Sequence, residues 1–197
     1  MKIKTIQDTI ETLSKIPGIS KKQAEKMSWY FINQGEDETK KVINSLNNIC
    51  QNIKYCENCN FIKENEKCLN CDDILKTNSL MIVESPTTLN KIDDLGIFHG
   101  HYYVLPYLMK LKNKFESENY DYPGLVEYIK QHQFEEVIVV ISPSLEGEMT
   151  TTKLLNLIQN LNIKVSRAAI GIPMGANLDY LDAFTIKQAI NNRNNKG

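Results

Sequence analysis

Four cysteines are the residues best suited to bind a metal ion. They form two Cys-x-x-Cys pairs, Cys56 with Cys59 and Cys68 with Cys71, separated by eight residues. Each pair can form a tight knuckle and the intervening segment can fold back, so that four thiolates surround one tetrahedral Zn²⁺. Four protein ligands leave no open position, and the pattern therefore predicts one structural zinc per chain. Two disulfides, or four unrelated cysteines, are the alternatives.

The metal should also determine the fold of this segment, because a module of about twenty residues cannot bury a core of its own. The fifth cysteine, Cys50, lies outside the pattern. In a reducing compartment we expect it to be a small buried hydrophobic side chain on a helix.

Three glutamates form a second candidate site. Glu84 ends a short apolar run, and Glu146 and Glu148 follow the strongest strand pattern in the chain, 137–141. Functional groups gather at the carboxyl ends of parallel strands, so we expect Glu84 to face the 142–148 loop. The alternative for Glu146 and Glu148 is a purely structural role, because negative side chains at the start of a helix stabilise it through the helix dipole.

The N-terminal segment should form two helices joined by a very short turn. Apolar residues follow one helical face up to Leu13, the pattern stops at 16–19, and Ser20 with Gln23 has capping-box spacing. This is the outline of a helix-hairpin-helix, whose unpaired N–H groups can bind a phosphate without reading a base. The candidate DNA-binding residues are the turn glycine and three nearby lysines: Gly18, Lys21, Lys22 and Lys26. A plain helical hairpin with solvated lysines is the alternative.

A third helical face runs through Val42, Leu46, Ile49 and Ile53 into the cysteine segment. We expect Trp29, Tyr30 and Phe31 to pack among the three helices, because a small helical cluster needs large aromatic side chains to form a core. Stacking of Trp29 on a nucleic-acid base is the alternative.

After Asn78 the pattern changes to short apolar runs alternating with helical segments, which predicts a small, mostly parallel α/β sheet. The strand-like runs are 80–83, 102–105, 137–141 and 164–170. Helices are expected after Ser85, after Pro123 and around Leu154. The segment 106–122 is predicted to be a long loop around Phe115, and the polar tail from Asn191 to fray.

The composition is typical of a soluble globular protein, with 42% hydrophobic and 24% charged residues in a chain of 197. No apolar run approaches the length of about 20 residues that spans a bilayer, and the N-terminus lacks a signal-peptide core. We therefore expect a cytoplasmic protein without membrane contact. The net charge of −1 means that any DNA contact must come from a local basic cluster or from backbone amides.

Two segments resemble the signatures of the Toprim domain of topoisomerases and primases. One is the strand that ends at Glu84, and the other is the strand followed by Ser142-Pro-Ser-Leu-Glu-Gly-Glu148. In catalytic Toprim proteins a glutamate ends the first strand, and an Asp-x-Asp pair ends the later one, just before a similar Glu-Gly-Glu. Three carboxylates at this place hold Mg²⁺ against a phosphodiester. Here Ser142 and Ser144 stand at the aspartate positions, and hydroxyls are poor substitutes for anionic Mg²⁺ ligands.

The order of hairpin, cysteine module, altered Toprim domain and C-terminal segment resembles the bacterial RecR family of recombination mediators. The most specific parts are Ile16-Pro-Gly-Ile19, the four cysteines, Glu146-Gly-Glu148-Met-Thr and Arg167-Ala-Ala-Ile-Gly-Ile-Pro173. The resemblance implies a multidomain α/β protein with a helix-hairpin-helix region (1–53), a four-cysteine zinc finger (54–76), a Toprim domain (77–170) and a short helical C-terminal segment (171–197) used in oligomer contact.

It also implies a DNA-repair protein without catalytic activity. Such proteins act with RecO, and in many bacteria RecF, to load RecA on gapped DNA coated with single-strand-binding protein. They form dimers or ring tetramers associated with the nucleoid. Carried over by position, Lys21 and Lys22 would contact DNA, whereas Glu84, Glu146 and Glu148 would mark the face that binds RecO.

The sequence departs from the family pattern after Val104, where Pro106 and Tyr107 replace a Gly-Gly turn. Arg167 could contact a phosphate, a neighbouring subunit or a structural acidic partner. Two other functions remain open at this point. One is a Mg²⁺-dependent nuclease or primase-like enzyme that uses the three glutamates, and the other is a zinc-ribbon adaptor that binds protein and no DNA.

Overall fold

The computed structural model describes residues 3–110 and 121–193. The chain divides into two compact units, the first ending at Ile53 and the second beginning at Lys54. The centre of the predicted 106–122 loop, including Phe115, and the last four residues of the predicted frayed tail lie outside the described residues.

The first unit contains three helices: α1 (Lys4–Leu13), α2 (Lys21–Gln34) and α3 (Glu36–Asn52). The predicted capping box of α2 is confirmed, because Ser20 accepts from the Gln23 N–H while Gln23 accepts from the Ser20 N–H. Gly18, in the turn, has a φ of +85°, a left-handed conformation that favours glycine.

The packing predicted within this unit is largely wrong. Trp29 and Tyr30 are each 47% exposed, and Leu46 and Ile49 on α3 are each 58% exposed. Cys50, predicted to be buried, is also exposed. The physical reason is that α3 buries none of its residues, so its apolar face has no covering layer within the described chain.

A short two-stranded sheet follows α3, with strands β1 (Ile53–Tyr55) and β2 (Ile62–Glu64), and it carries the first cysteine pair in its turn. All of it except Ile53 belongs to the second unit. A four-stranded sheet follows, with strands β3 (Thr77–Val83), β4 (Gly100–Val104), β5 (Glu136–Val140) and β6 (Lys164–Arg167). Their spatial order is β4-β3-β5-β6 and all three pairings are parallel. The predicted parallel α/β sheet is confirmed.

Helices α4 (Pro86–Asp93), α5 (Pro123–His132) and α6 (Leu145–Gln159) connect the strands, and α7 (Ala183–Asn191) follows a short 3₁₀ turn at Leu178–Tyr180. The core lies between the sheet and its helices, where Leu80, Ile82 and Val137 are fully buried. Ser85 caps α4 with Pro86 in its first turn, as predicted. Each helix in the described part of the chain is too short or too polar to span a lipid bilayer.

Candidate functional site

The four cysteines meet at one point. Their sulfur atoms all lie within 4.8 Å of one another, and none of the cysteines forms a disulfide. The Sγ atoms of Cys59 and Cys68 are 3.6 Å apart, and those of Cys56 and Cys71 are 3.9 Å apart. Tetrahedral zinc with Zn–S bonds of about 2.3 Å places its sulfurs about 3.8 Å apart. The donor set and its geometry therefore fit a metal ion with four thiolate ligands.

The thiols of the cluster shift one another's pKa values in opposite directions. Hydrogen bonds from Cys59 and Cys71 lower the pKa of the Cys68 thiol to about 2. The hydrogen bond to Cys68, together with burial, raises the pKa of the Cys59 thiol to about 12. Buried thiolates thus compete for shared protons, and a divalent metal removes that competition by binding all of them in the anionic form.

Lysine and glutamate side chains brace the hairpin that carries the first cysteine pair. The Lys63 ammonium lies 2.9 Å from a carboxylate oxygen of Glu57 and 2.9 Å from one of Glu66. Hydrogen bonds from Lys63 and Lys54 lower the pKa of Glu66 to about 2. Both glutamates are exposed, so these pairs orient the hairpin more than they stabilise it.

Asparagines that adjoin the ligands attach the cysteine module to β4. The Asn70 side chain accepts from the Tyr102 N–H at 2.7 Å and donates to the Tyr102 carbonyl at 2.8 Å. Asn60 donates to the Val104 carbonyl at 3.0 Å. Neither asparagine was predicted from the sequence. Their only signal there is an amide side chain next to a predicted ligand cysteine.

The predicted meeting of Glu84 with the 142–148 loop is confirmed. Glu84 follows β3, and its carboxylate accepts from the Ser142 hydroxyl at 2.6 Å and from the Ser142 N–H at 3.1 Å. Ser144 caps α6 by accepting from the Gly147 N–H at 3.0 Å. Both serines are therefore used as hydrogen-bonding groups at this strand end.

Glu148 has a structural partner on β6. Two guanidinium nitrogens of Arg167 donate to its two carboxylate oxygens at 3.0 and 2.7 Å, and this hydrogen bonding raises the pKa of Arg167. Of the three possible partners of Arg167, namely a phosphate, a neighbouring subunit and an acidic residue of the chain, the structure shows the third. Within the described residues, the four cysteines are the only group of three or more His, Cys, Asp or Glu side chains that could hold a metal ion. Glu84, Glu146 and Glu148 thus do not form such a group.

The helical hairpin offers unpaired hydrogen-bond donors. The N–H groups of Ser20 and Gln23 are bound by the capping box, but no acceptor within the described chain binds those of Gly18, Lys21 or Lys22. The lysines that flank them, Lys21, Lys22 and Lys26, are exposed, and no carboxylate of the described residues pairs with them. This arrangement can bind an anion through backbone donors and positive charge.

Known proteins resemble this chain over nearly its whole length. The chain is 35% identical over 194 residues to "Recombination protein RecR" of Mycoplasmopsis pulmonis, covering 98% of this chain and 100% of that protein. It is 31% identical to the protein of the same name from Dehalococcoides mccartyi, over 96% and 94% of the two chains. The Finegoldia magna protein of that name is 30% identical, over 96% of both chains. The chain belongs to the RecR family.

The resemblance inferred from the order of motifs is therefore confirmed. A Toprim domain model matches residues 78–169, which contain the four-stranded sheet. A model of the RecR C-terminal region matches residues 171–194, which contain the 3₁₀ turn and α7. In this RecR-family chain the Toprim region thus carries two hydrogen-bonded pairs. Glu84 pairs with Ser142 beyond the ends of β3 and β5, and Glu148 in the first turn of α6 pairs with Arg167 at the end of β6.

Proposed function

We propose that this protein is a recombination mediator in DNA repair, which holds gapped DNA and acts with RecO, and RecF where present, to help RecA load in place of single-strand-binding protein. The observation that carries the proposal is the similarity over nearly the whole chain to proteins named Recombination protein RecR. The competing function is a zinc-ribbon adaptor that binds protein and no DNA. The DNA-binding experiment below distinguishes it from a recombination mediator.

The role is proposed to be non-catalytic. Phosphodiester chemistry at a Toprim face needs several carboxylates free to bind Mg²⁺. Here Ser142 binds the Glu84 carboxylate and Arg167 binds both oxygens of Glu148. These contacts occupy Glu84 and Glu148 and therefore favour a non-catalytic role. We assign Glu84, Glu146 and Glu148 to the face that meets RecO.

DNA contact is assigned to the hairpin. Free N–H groups at the start of α2 and the exposed ammonium groups of Lys21, Lys22 and Lys26 supply donors and charge for phosphates, with Gly18 permitting the tight turn. Such contacts carry no base information, so binding should be independent of sequence.

The metal is proposed to be one structural Zn²⁺ per chain, held by Cys56, Cys59, Cys68 and Cys71. Four thiolates at tetrahedral spacing favour zinc and leave no position for a substrate. When bound, the ion supplies fixed charge and geometry, while the residues of the chain attach the module to β4.

Self-association is proposed from the first unit. Buried side chains among its described residues are limited to Ala24 and Ser28, while many of its apolar residues remain exposed. These include Ile32 at 53%, Leu46 at 58% and Ile49 at 58%. Unpartnered apolar surface of this kind marks a protein interface. We assign it to other copies of the chain, as a dimer or ring tetramer in the cytoplasm at the nucleoid, with the C-terminal segment as a second contact.

The test is the salt dependence of binding to a gapped duplex, measured by fluorescence anisotropy for the natural protein and for Lys21→Ala with Lys22→Ala. The double variant should bind every DNA sequence more weakly. The slope of log K against log salt should fall in magnitude by about 1 for each lysine–phosphate interaction that the substitutions remove.

The matched control is Lys40→Ala with Lys41→Ala, which removes the same charge from α3, where both lysines pair with glutamates. Its slope should stay near that of the natural protein. Equal slopes for the two double variants would reject the hairpin as the DNA site. Absence of any DNA binding, with or without a RecO-type partner, would favour the adaptor.

A further inference from the structure

Strand β4 is the outer strand of the parallel sheet, so one side of its backbone faces away from β3. Leu105 just beyond it donates its N–H to the Val83 carbonyl, on the β3 side. Backbone groups of successive residues alternate in direction along a strand. The N–H and C=O groups of Tyr102 and Val104 therefore point outward, where an edge strand normally offers them to water or to another chain.

The second cysteine pair covers the outward groups of Tyr102. Asn70 lies between Cys68 and Cys71 and is 3% exposed. Its amide accepts from the Tyr102 N–H at 2.7 Å and donates to the Tyr102 carbonyl at 2.8 Å. One side-chain amide thus makes the two hydrogen bonds that a neighbouring strand would make.

The first cysteine pair covers the outward groups of Val104. The Val104 N–H donates to the carbonyl of Cys59 at 2.9 Å, and Asn60 donates to the Val104 carbonyl at 3.0 Å. All four outward groups of Tyr102 and Val104 are consequently bound by residues of the two knuckles. The Gly100 carbonyl at the start of β4 accepts from the Lys76 ammonium at 3.1 Å.

We propose that the cysteine module is a metal-dependent cap on the edge of β4, and that loss of the metal uncovers this edge for pairing with the same strand of a second copy. The inference rests on the metal site proposed above, because Asn60 and Asn70 each adjoin a ligand cysteine and their positions depend on the knuckles. Substitution of a residue that supports metal ligands from outside the coordination sphere commonly weakens metal binding by about 10- to 100-fold.

The sequence of β4 argues for a second copy as the occupant. It reads Gly-His-Tyr-Tyr-Val, without Asp, Glu, Lys, Arg or Pro. Aromatic and β-branched residues favour strands, and an uncharged edge of this type is a template for another strand. Identical edges are always available to one another, since every chain carries one.

The first experiment measures amide hydrogen exchange in the full zinc-loaded chain. Asn70→Ala should raise the exchange rate of the Tyr102 amide by about tenfold or more, because its hydrogen-bond acceptor is removed. Asn58→Ala is the matched control. Asn58 holds the same place in the first pair, is exposed, and has no side-chain hydrogen bond within the described chain.

Equal exchange at Tyr102 in the two variants would overturn the cap. If Asn70→Ala does not fold, Asn60→Asp tests the same edge at Val104, with Asn58→Asp as its control. The Val104 N–H keeps its acceptor, the Cys59 carbonyl, but a carboxylate placed beside the Val104 carbonyl repels it, so exchange at Val104 should rise as the edge separates from the knuckle. Aspartate tolerates the left-handed backbone of Asn60, whose φ is 58°, but cannot donate to the Val104 carbonyl.

The second experiment removes zinc from the natural chain with a chelator, records the zinc released, and follows exchange at Tyr102 and Val104 over a range of protein concentrations. We expect fast exchange in dilute metal-free protein and protection that returns at these two amides as concentration rises. Association through the first unit would not restore that protection.

Exchange that is unchanged by chelation would overturn the metal dependence of the cap. Exchange that is fast at every concentration would overturn pairing with a second copy. If no zinc is released because none is bound, the metal proposal fails, whereas the Asn70→Ala comparison still decides whether the module caps β4.

Discussion

At the scale of single residues, Ser142 determines what Glu84 can do. Its hydroxyl and its N–H both donate to the glutamate, at 2.6 and 3.1 Å. An aspartate at this position would present a second carboxylate and repel Glu84 unless a cation lay between them. Serine makes the same strand end stable without a metal ion.

The pairing of Glu148 with Arg167 gives a stability prediction. Arg167→Ala should lower the free energy of unfolding by about 1–2 kcal/mol, because a bidentate, partly buried carboxylate loses both donors. The side chains are 31% and 23% exposed, which keeps the expected loss below that of a fully buried pair. Urea unfolding of the zinc-loaded protein measures it.

Lys153→Ala is the control for this prediction. It removes a single ion pair with Asp121 whose side chains are 37% and 52% exposed, and it should change stability by less than about 0.5 kcal/mol. Equal losses of unfolding free energy in the two variants would show that the Arg167–Glu148 pair stabilises the protein no more than a single, more exposed ion pair does.

Residue types and spacing in the sequence were sufficient to predict the cysteine cluster and the approach of Glu84 to the 142–148 loop. Both follow from local rules: knuckle spacing for the former and parallel topology for the latter. The Asn70 hydrogen bonds could not be predicted, because they join residues 32 positions apart across two modules. The burial expected for Cys50 was wrong, because helical periodicity does not say whether a covering layer exists.

At the scale of elements, the capping box fixes where α2 begins and thus where its free N–H groups point. Ser20→Ala should destabilise α2 by about 1 kcal/mol, since the Gln23 N–H loses its acceptor. Amide exchange at Gln23 measures the effect directly.

The comparison variant is Ser45→Ala, at an exposed position inside α3. It should leave exchange in α2 unchanged, because alanine suits a helix interior and no cap is removed. An exchange rate at Gln23 that is the same in both variants would show that the cap does not hold the start of α2.

The hydrophobic pattern of the sequence predicted the positions of the strands better than their ends. Short apolar runs located β3, β4 and β5, but the predicted strand 164–170 ends at Arg167. The paired part of its neighbour β5 ends at Val139, which accepts from the Ala168 N–H, so the following residues have no partner strand within the described sheet. The β1–β2 hairpin has no apolar run of its own, because it is organised around the cysteine cluster.

At the scale of the whole molecule, the proposed DNA contact requires a slightly acidic chain to bind a polyanion. The net charge is −1, so one hairpin supplies little attraction. Several hairpins in one assembly can act together on one DNA molecule, and multivalency then raises the overall affinity without any new contact. We propose the exposed apolar faces of α2 and α3 as the interface of such an assembly.

The most direct test of the central claim, that this protein holds DNA without cutting it, is native mass spectrometry of the full chain with a gapped duplex after incubation with Mg²⁺. We predict an oligomer that carries one zinc per chain and binds the duplex at its full, unaltered mass. A duplex shortened or extended in the presence of Mg²⁺, or a zinc-free monomer that binds no DNA, would contradict that claim.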